Sequence, residues 1–185
     1  MDFRERLVAD HALSPRSADL LMQQAQRREY PARAEVVREG ERNPWVWFVE
    51  AGAVRTYVLR EAKCVILQFA FEGEAAAAGF GSEKSARYTI ETLEPTTLVR
   101  FPRERLEALF AAEAELANWA RRTVERTLRS HEDYFADYCW MDKGRQYERL
   151  LDEYPQLLRR VPLKDLASWL FITPQTLSRI RAEIK

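Results

Sequence analysis

The chain has 185 residues, 46% hydrophobic and 31% charged, enough for one large or two small domains with real cores. Its 29 basic and 29 acidic residues cancel, which excludes a global field drawing it to nucleic acid; residues 140–185 nevertheless carry nine Lys/Arg against six Asp/Glu. No apolar run reaches membrane-spanning length, no signal peptide opens the chain, and two distant cysteines, Cys64 and Cys139, are too few for a disulfide framework or a metal cluster, so a cytoplasmic protein with reduced thiols and no membrane partner is expected.

Residues 2 to about 30 read as helical, with Leu7, Leu13, Leu20, Leu21 and Met22 marking apolar faces and Ser14-Pro15 a helix start. From residue 30 to 101 the character changes. Runs rich in β-branched and aromatic residues at 35–38, 45–49, 53–59, 64–69, 88–91 and 96–101 alternate with turns at Gly40, Gly52 and Gly73, the pattern of an antiparallel sandwich or barrel. Pro102 opens a helical region, with a short helix over 103–110 and a long one over 113–140 that contains no Gly or Pro. Leu116, Trp119, Val124, Leu128, Tyr134, Phe135 and Tyr138 fall on one broad stripe of the long helix, and Arg121, Glu125, Arg129 and Glu132 fall opposite. At roughly 40 Å that helix exceeds what a small barrel covers, so part of its stripe is expected to meet a second copy of the chain in a symmetric two-helix interface. Lys143-Gly144 reads as a hinge and 145–154 as a further helix closed by Pro155.

The last stretch is the most specific. Leu166, Ala167 and Leu170 make one apolar face, Ile172 sits in a turn, and Leu177, Ile180 and Ile184 make a second face at helical spacing. Thr173 can cap the second helix and Pro174 stands at its first position, where a missing N–H costs nothing. This is the layout of a helix-turn-helix, with a small residue, Ala167, where the helices cross. One position departs: the turn residue, which favours glycine for its access to positive φ, is Phe171, so the turn is either strained by about 1 kcal/mol or differently shaped. The polar face of the second helix holds Thr173, Gln175, Thr176, Ser178, Arg179, Arg181 and Lys185, side chains that bond base edges and phosphates. Arg179 is the expected base reader, through two hydrogen bonds to guanine. Gln175 suits adenine and Ser178 suits a base or a phosphate. Thr173, Thr176, Arg181 and Lys185 are expected on the DNA backbone. No nucleophile elbow, paired-histidine motif or phosphate-binding loop is present, and the carboxylates are scattered among basic residues, so no enzyme is expected.

Three stretches resemble the Crp/Fnr family of bacterial transcription regulators: EGERNPWVWFVEAGAVRTYV (39–58) its glycine-punctuated barrel hairpins, FEGEAAAAGFGSEKSARYTIETLEPTTLVRFPRERLEAL (71–109) its ligand cassette, and YERLLDEYPQLLRRVPLKDLASWLFITPQTLSRIR (147–181) its DNA-binding domain. The chain resembles the short, wingless members. In nucleotide-binding members a Gly-Glu pair is followed ten residues later by Arg, then a hydroxyl residue and Ala. The resemblance therefore implies an effector site at Gly73, Glu74, Lys84 and Ser85, with Glu74 on a ribose hydroxyl and Lys84 and Ser85 on a cyclic phosphate. Lysine replaces the arginine and cannot fork a phosphate. A cyclic nucleotide, another small effector, or a cavity filled by side chains with no cofactor all stay open. Fnr-type iron–sulfur sensing would need a cysteine cluster, and His11 and His131 form no haem pattern.

The resulting expectation is an α+β protein with a cyclic-nucleotide-binding-like antiparallel β-roll sensor with flanking helices (1–110), a dimerisation helix (111–141) and a helix-turn-helix DNA-binding domain (142–185). Its partners would be a near-palindromic duplex DNA site, a second copy of itself and RNA polymerase. The rival readings are a cyclic-nucleotide-gated regulator of the same architecture and a protein-interaction module that has lost DNA.

Overall fold

The computed structural model describes residues 1–61, 63–77 and 85–184, with the side chain of Cys139 left aside. Two short helices, α1 (Phe3–Ala9) and α2 (Pro15–Met22), precede seven strands: β1 (Gln26–Tyr30), β2 (Glu35–Val37), β3 (Trp45–Ala51), β4 (Val54–Arg60), β5 (Lys63–Ala70), β6 (Thr89–Thr92) and β7 (Thr96–Pro102). Six helices follow: α3 (Arg103–Ala112), α4 (Ala114–Trp140), α5 (Lys143–Glu153), α6 (Pro155–Arg160), α7 (Leu163–Trp169) and α8 (Pro174–Glu183). The expected α+β architecture is present.

The strands form two antiparallel sheets, ordered β1-β7-β3 and β2-β6-β4-β5. Three apolar clusters explain the sequence pattern. Val37, Trp47, Val49, Val54, Ala70, Ile90 and Leu98 fill the space between the sheets. Val46, Phe48, Val99 and Phe101 face outward from the first sheet and are covered by Phe3, Leu7, Leu21, Leu106, Leu116 and Trp119 of α1–α4. β3 is apolar at consecutive positions because both of its faces are buried. Phe48 is the hub, with ring centroids 5.2 Å from Phe3 and 5.6 Å from Trp119, and so fixes the start of α4 on the roll. Gly52 turns β3 into β4 at φ +97°, and a Cβ there would lie 2.5 Å from Thr96 Oγ1, so no other residue fits.

The third cluster joins the outer face of the second sheet to the C-terminal helices. Tyr57, Ile66, Phe69 and Phe71 of the roll pack with Leu150, Leu157, Leu166, Ala167 and Leu170. Ion pairs reinforce this contact. Arg55 on β4 bonds Asp165 on α7 at 2.7 Å and Glu91 on β6 at 2.9 Å. Arg160 on α6 bonds Glu72 at 2.8 Å and also Glu94. Ser168 Oγ donates to the Cys64 carbonyl at 2.7 Å.

Two boundaries and one added helix differ from the sequence expectation. Gln26–Tyr30 was expected at the end of a helix but is a strand paired to β7; its Gln-Arg-Arg-Glu-Tyr sequence is exposed at its centre and shows no apolar alternation. Pro155 closes α5 as expected and also opens a further helix, α6, as Pro can at a first helical position. The break expected at Lys143-Gly144 falls at Met141-Asp142, because the Asp142 carboxylate accepts from the Arg145 amide and caps α5.

α4 divides along its length. Leu116, Trp119 and Thr123 are buried against the roll. Beyond them two stripes run side by side. Thr123, Thr127, Ser130, Tyr134 and Asp137 face the inner side, toward the roll and the C-terminal helices. One position on, Val124, Leu128, Phe135 and Tyr138 face solvent, with Leu128 55% and Phe135 67% exposed. Spacings of four, seven and three put this outer stripe on one helical face.

Candidate nucleic-acid interface and effector cavity

α7 and α8 meet through Leu166, Ala167, Leu170 and Leu177, all buried. The turn between them is closed by backbone bonds from Phe171 to Ser168 at 3.1 Å and from Ile172 to Ala167 at 3.0 Å. Phe171 keeps the left-handed conformation at φ +55°, so the ordinary turn shape is kept and a non-glycine residue is strained into it. Its ring is half exposed and meets Tyr138 of α4 edge-on at 5.2 Å. Tyr134, one turn earlier, stacks on Trp169 at 4.7 Å and donates its hydroxyl to the Trp169 carbonyl. Burial raises the Tyr134 phenol above its ordinary value, which keeps it a donor. Two aromatic pairs therefore clamp the helix-turn-helix to the end of α4.

α8 begins as its sequence requires. Thr173 Oγ1 accepts from the Thr176 amide at 3.1 Å and lies 2.9 Å from the Thr176 hydroxyl. Thr173, Gln175, Ser178, Arg179 and Arg181 are exposed and Thr176 is half-buried. Leu177 points inward. The structure thus brings six of the seven sequence-selected residues onto one free helix; Lys185 lies outside the described residues. In α8's first turn Pro174 has no N–H and the Thr176 and Leu177 amides are bonded to Thr173, which leaves the Gln175 N–H to face outward.

The four residues expected at an effector site have a different fate. Lys84 lies outside the described residues. Gly73 takes φ +88° in the turn after β5, and its amide bonds Val49 O at 2.8 Å. Glu74 follows, with Oε2 accepting from the Phe71 amide at 2.9 Å. Ser85 is exposed and bridges to Arg42. Glu74 opens onto a cavity of about 370 Å³ bounded by the roll, α4 and α5–α7, and Ser85 does not line that cavity. The structure does not bring Glu74 and Ser85 together. The surrounding protein pushes the Glu74 carboxyl above its ordinary value, with the Phe71 amide and Arg126 opposing. Beneath it His11 is buried, with Nε2 donating to Gly73 O at 3.2 Å, and burial lowers its pKa, so the ring is neutral.

The sequence reading missed Arg55, Asp165, Arg160 and the Tyr134–Trp169 pair. No local signal marks the ionic residues: Asp165 in a first helical turn looks like an ordinary surface carboxylate. The aromatic residue at position 134 was placed on the stripe, but its partner is 35 positions away.

Residues 27–113 match the cyclic nucleotide-binding domain family. The chain is similar to FixK2 from Bradyrhizobium japonicum, at 23% identity over 86% of this chain and 84% of that one, with a TM-score of 0.72. It is similar to CLP, a c-di-GMP responsive global regulator of Xanthomonas campestris, at 17% identity over 92% and 91%, with a TM-score of 0.73. It is also similar to a crp/fnr-family protein from Eubacterium rectale, at 16% identity over 96% and 85%, with a TM-score of 0.70. No curated protein matches the sequence. No helix among the described residues is long and apolar enough to cross a membrane.

Proposed function

We propose, from the match of residues 27–113 to the cyclic nucleotide-binding domain family and the fold shared with Crp/Fnr regulators, that the chain is a homodimeric, sequence-specific DNA-binding transcription regulator of the cytoplasm and not an enzyme. The observation that carries this reading is the outer face of α8, where Gln175, Ser178, Arg179 and Arg181 stand free behind a buried Leu177. Arg179 reads guanine, Gln175 reads adenine, and Arg181 with the capped first turn holds phosphates. The exposed stripe of α4 joins two protomers, and the paired α8 helices then meet half-sites about one DNA turn apart.

The roll serves as a sensor for something other than a cyclic nucleotide. Two features support this: lysine stands where a phosphate-forking arginine would be needed, and Glu74 and Ser85 serve different surroundings.

The test is selection of bound fragments from random DNA, followed by binding of the selected site. Arg179→Ala is expected to cost about 1–3 kcal/mol and to relax the preference at one position of each half-site. Unchanged specificity in that variant would remove Arg179 from the reading role, and failure to enrich any sequence would remove DNA from the function.

A further inference from the structure

Two groups of opposite charge open onto the cavity beside Glu74 and do not satisfy each other. Arg126 of α4 makes no hydrogen bond or ion pair among the described residues. Glu74 has one carboxylate oxygen held by the Phe71 amide and the other open. No ion pair joins the two among the described residues. The Arg126 wall also offers Ser130 and Thr127, whose hydroxyl already donates to Thr123 O at 3.1 Å and retains its lone pairs. Elsewhere the wall has an apolar side, Phe69, Phe71, Trp169 and Leu170, and a polar side that includes Asp133 and the ion-paired Asp137, Arg149 and Glu153. The volume, about 370 Å³, lies at the small end of ligand pockets, which run roughly 300–1,000 Å³.

We propose that this cavity binds a zwitterionic small molecule, an α-amino acid with an apolar or aromatic side chain, its carboxylate on Arg126 and its ammonium on Glu74. A simple anion would leave Glu74 unanswered and a simple cation would leave Arg126 unanswered, whereas a ligand with both charges gains a charge-assisted hydrogen bond at each. A molecule carrying both charges on adjacent atoms satisfies both and extends its side chain along the aromatic wall. The space between the two sheets is not the site, since it is filled by Trp47, Val54, Ala70 and Ile90. Trp169 and Leu170 end α7, so a ligand here touches the roll, the long helix and the helix-turn-helix at once. That regulatory consequence rests on the DNA-binding reading; the binding itself does not.

Calorimetric titration of the full chain with L-phenylalanine, 2-phenylethylamine and 3-phenylpropionate tests it. L-phenylalanine is expected to bind, and removal of either charged group from the ligand to weaken binding about tenfold or more. Arg126→Gln should abolish the advantage of L-phenylalanine over 2-phenylethylamine. Glu74→Gln, which keeps an acceptor for the Phe71 amide, should abolish its advantage over 3-phenylpropionate. Absence of L-phenylalanine binding at about 10 mM (a free energy near 3 kcal/mol), equal binding of all three, or a ranking unchanged by either variant would overturn the proposal. No step involves DNA, so that failure leaves the DNA-binding reading standing, and a failed DNA selection leaves these titrations interpretable.

Discussion

Asp165 is the residue whose role least resembles its appearance in the sequence. Only 3% exposed, it accepts from Arg55, which also grips Glu91, and Arg33 approaches both carboxylates at 3.6 and 3.9 Å. Removing the central guanidinium leaves two buried carboxylates facing each other. Arg55→Ala is therefore expected to destabilise the protein by about 3–5 kcal/mol, read as a lower urea midpoint, while Arg38→Ala, whose pair with Glu35 is exposed, should stay within about 0.5 kcal/mol. Equal effects would mean that the cluster is not the joint described above. The contrast with α8 shows what a sequence reveals. Thr173, Pro174, Gln175 and Arg179 could be placed because cap, first turn and free face follow from spacings of one to four residues. Arg55 and Asp165 lie 110 positions apart, and no local pattern pairs them. Phe171 lies between these cases: the turn was legible, and its left-handed strain could be stated as one of two alternatives before the geometry chose.

At the scale of elements, α4 does two jobs on faces offset by a single residue. Its inner stripe lines the cavity, and its outer stripe leaves Leu128 and Phe135 in solvent, with Trp140 69% exposed at its end. Because these side chains contribute little to the protomer, Leu128→Glu with Phe135→Glu should leave the circular dichroism spectrum and melting of the single chain nearly unaltered. The same pair would bury like charges across a symmetric seam. Sedimentation is expected to show a monomer in micromolar solution, with DNA affinity lost alongside. A variant that sediments as a dimer would place the seam elsewhere. The strands and the long helix were legible because their apolar periods are strong. β1 was not, since an edge strand whose central side chains are all exposed and charged carries no period to read.

For the molecule as a whole, nothing in the local pattern signals that the C-terminal helices close back onto the roll, because the faces that meet, Ile66 and Phe69 with Leu166 and Leu170, each look like ordinary core. The joint also has an acid-sensitive part. Glu72 is held down to about 2, chiefly by its hydrogen bonds from Arg160 and against the opposing effect of burial. With an unfolded value near 4.5, this carboxylate binds protons more weakly in the folded state, so its stabilising contribution is complete above pH 4.5 and is lost as pH falls toward 2. Trp169 fluorescence should report that loss, and Arg160→Gln should flatten it; an identical acid profile in the variant would assign the transition to other groups. The return of the chain to its own roll makes the path roll–α4–α7–roll a closed circuit. A polypeptide cut at Met141–Asp142 would then still be tied together through β4, β5 and α7. A protease site engineered at that point should yield two fragments that elute from a sizing column as one particle, and the severed protein should keep α8 aimed as the intact one does.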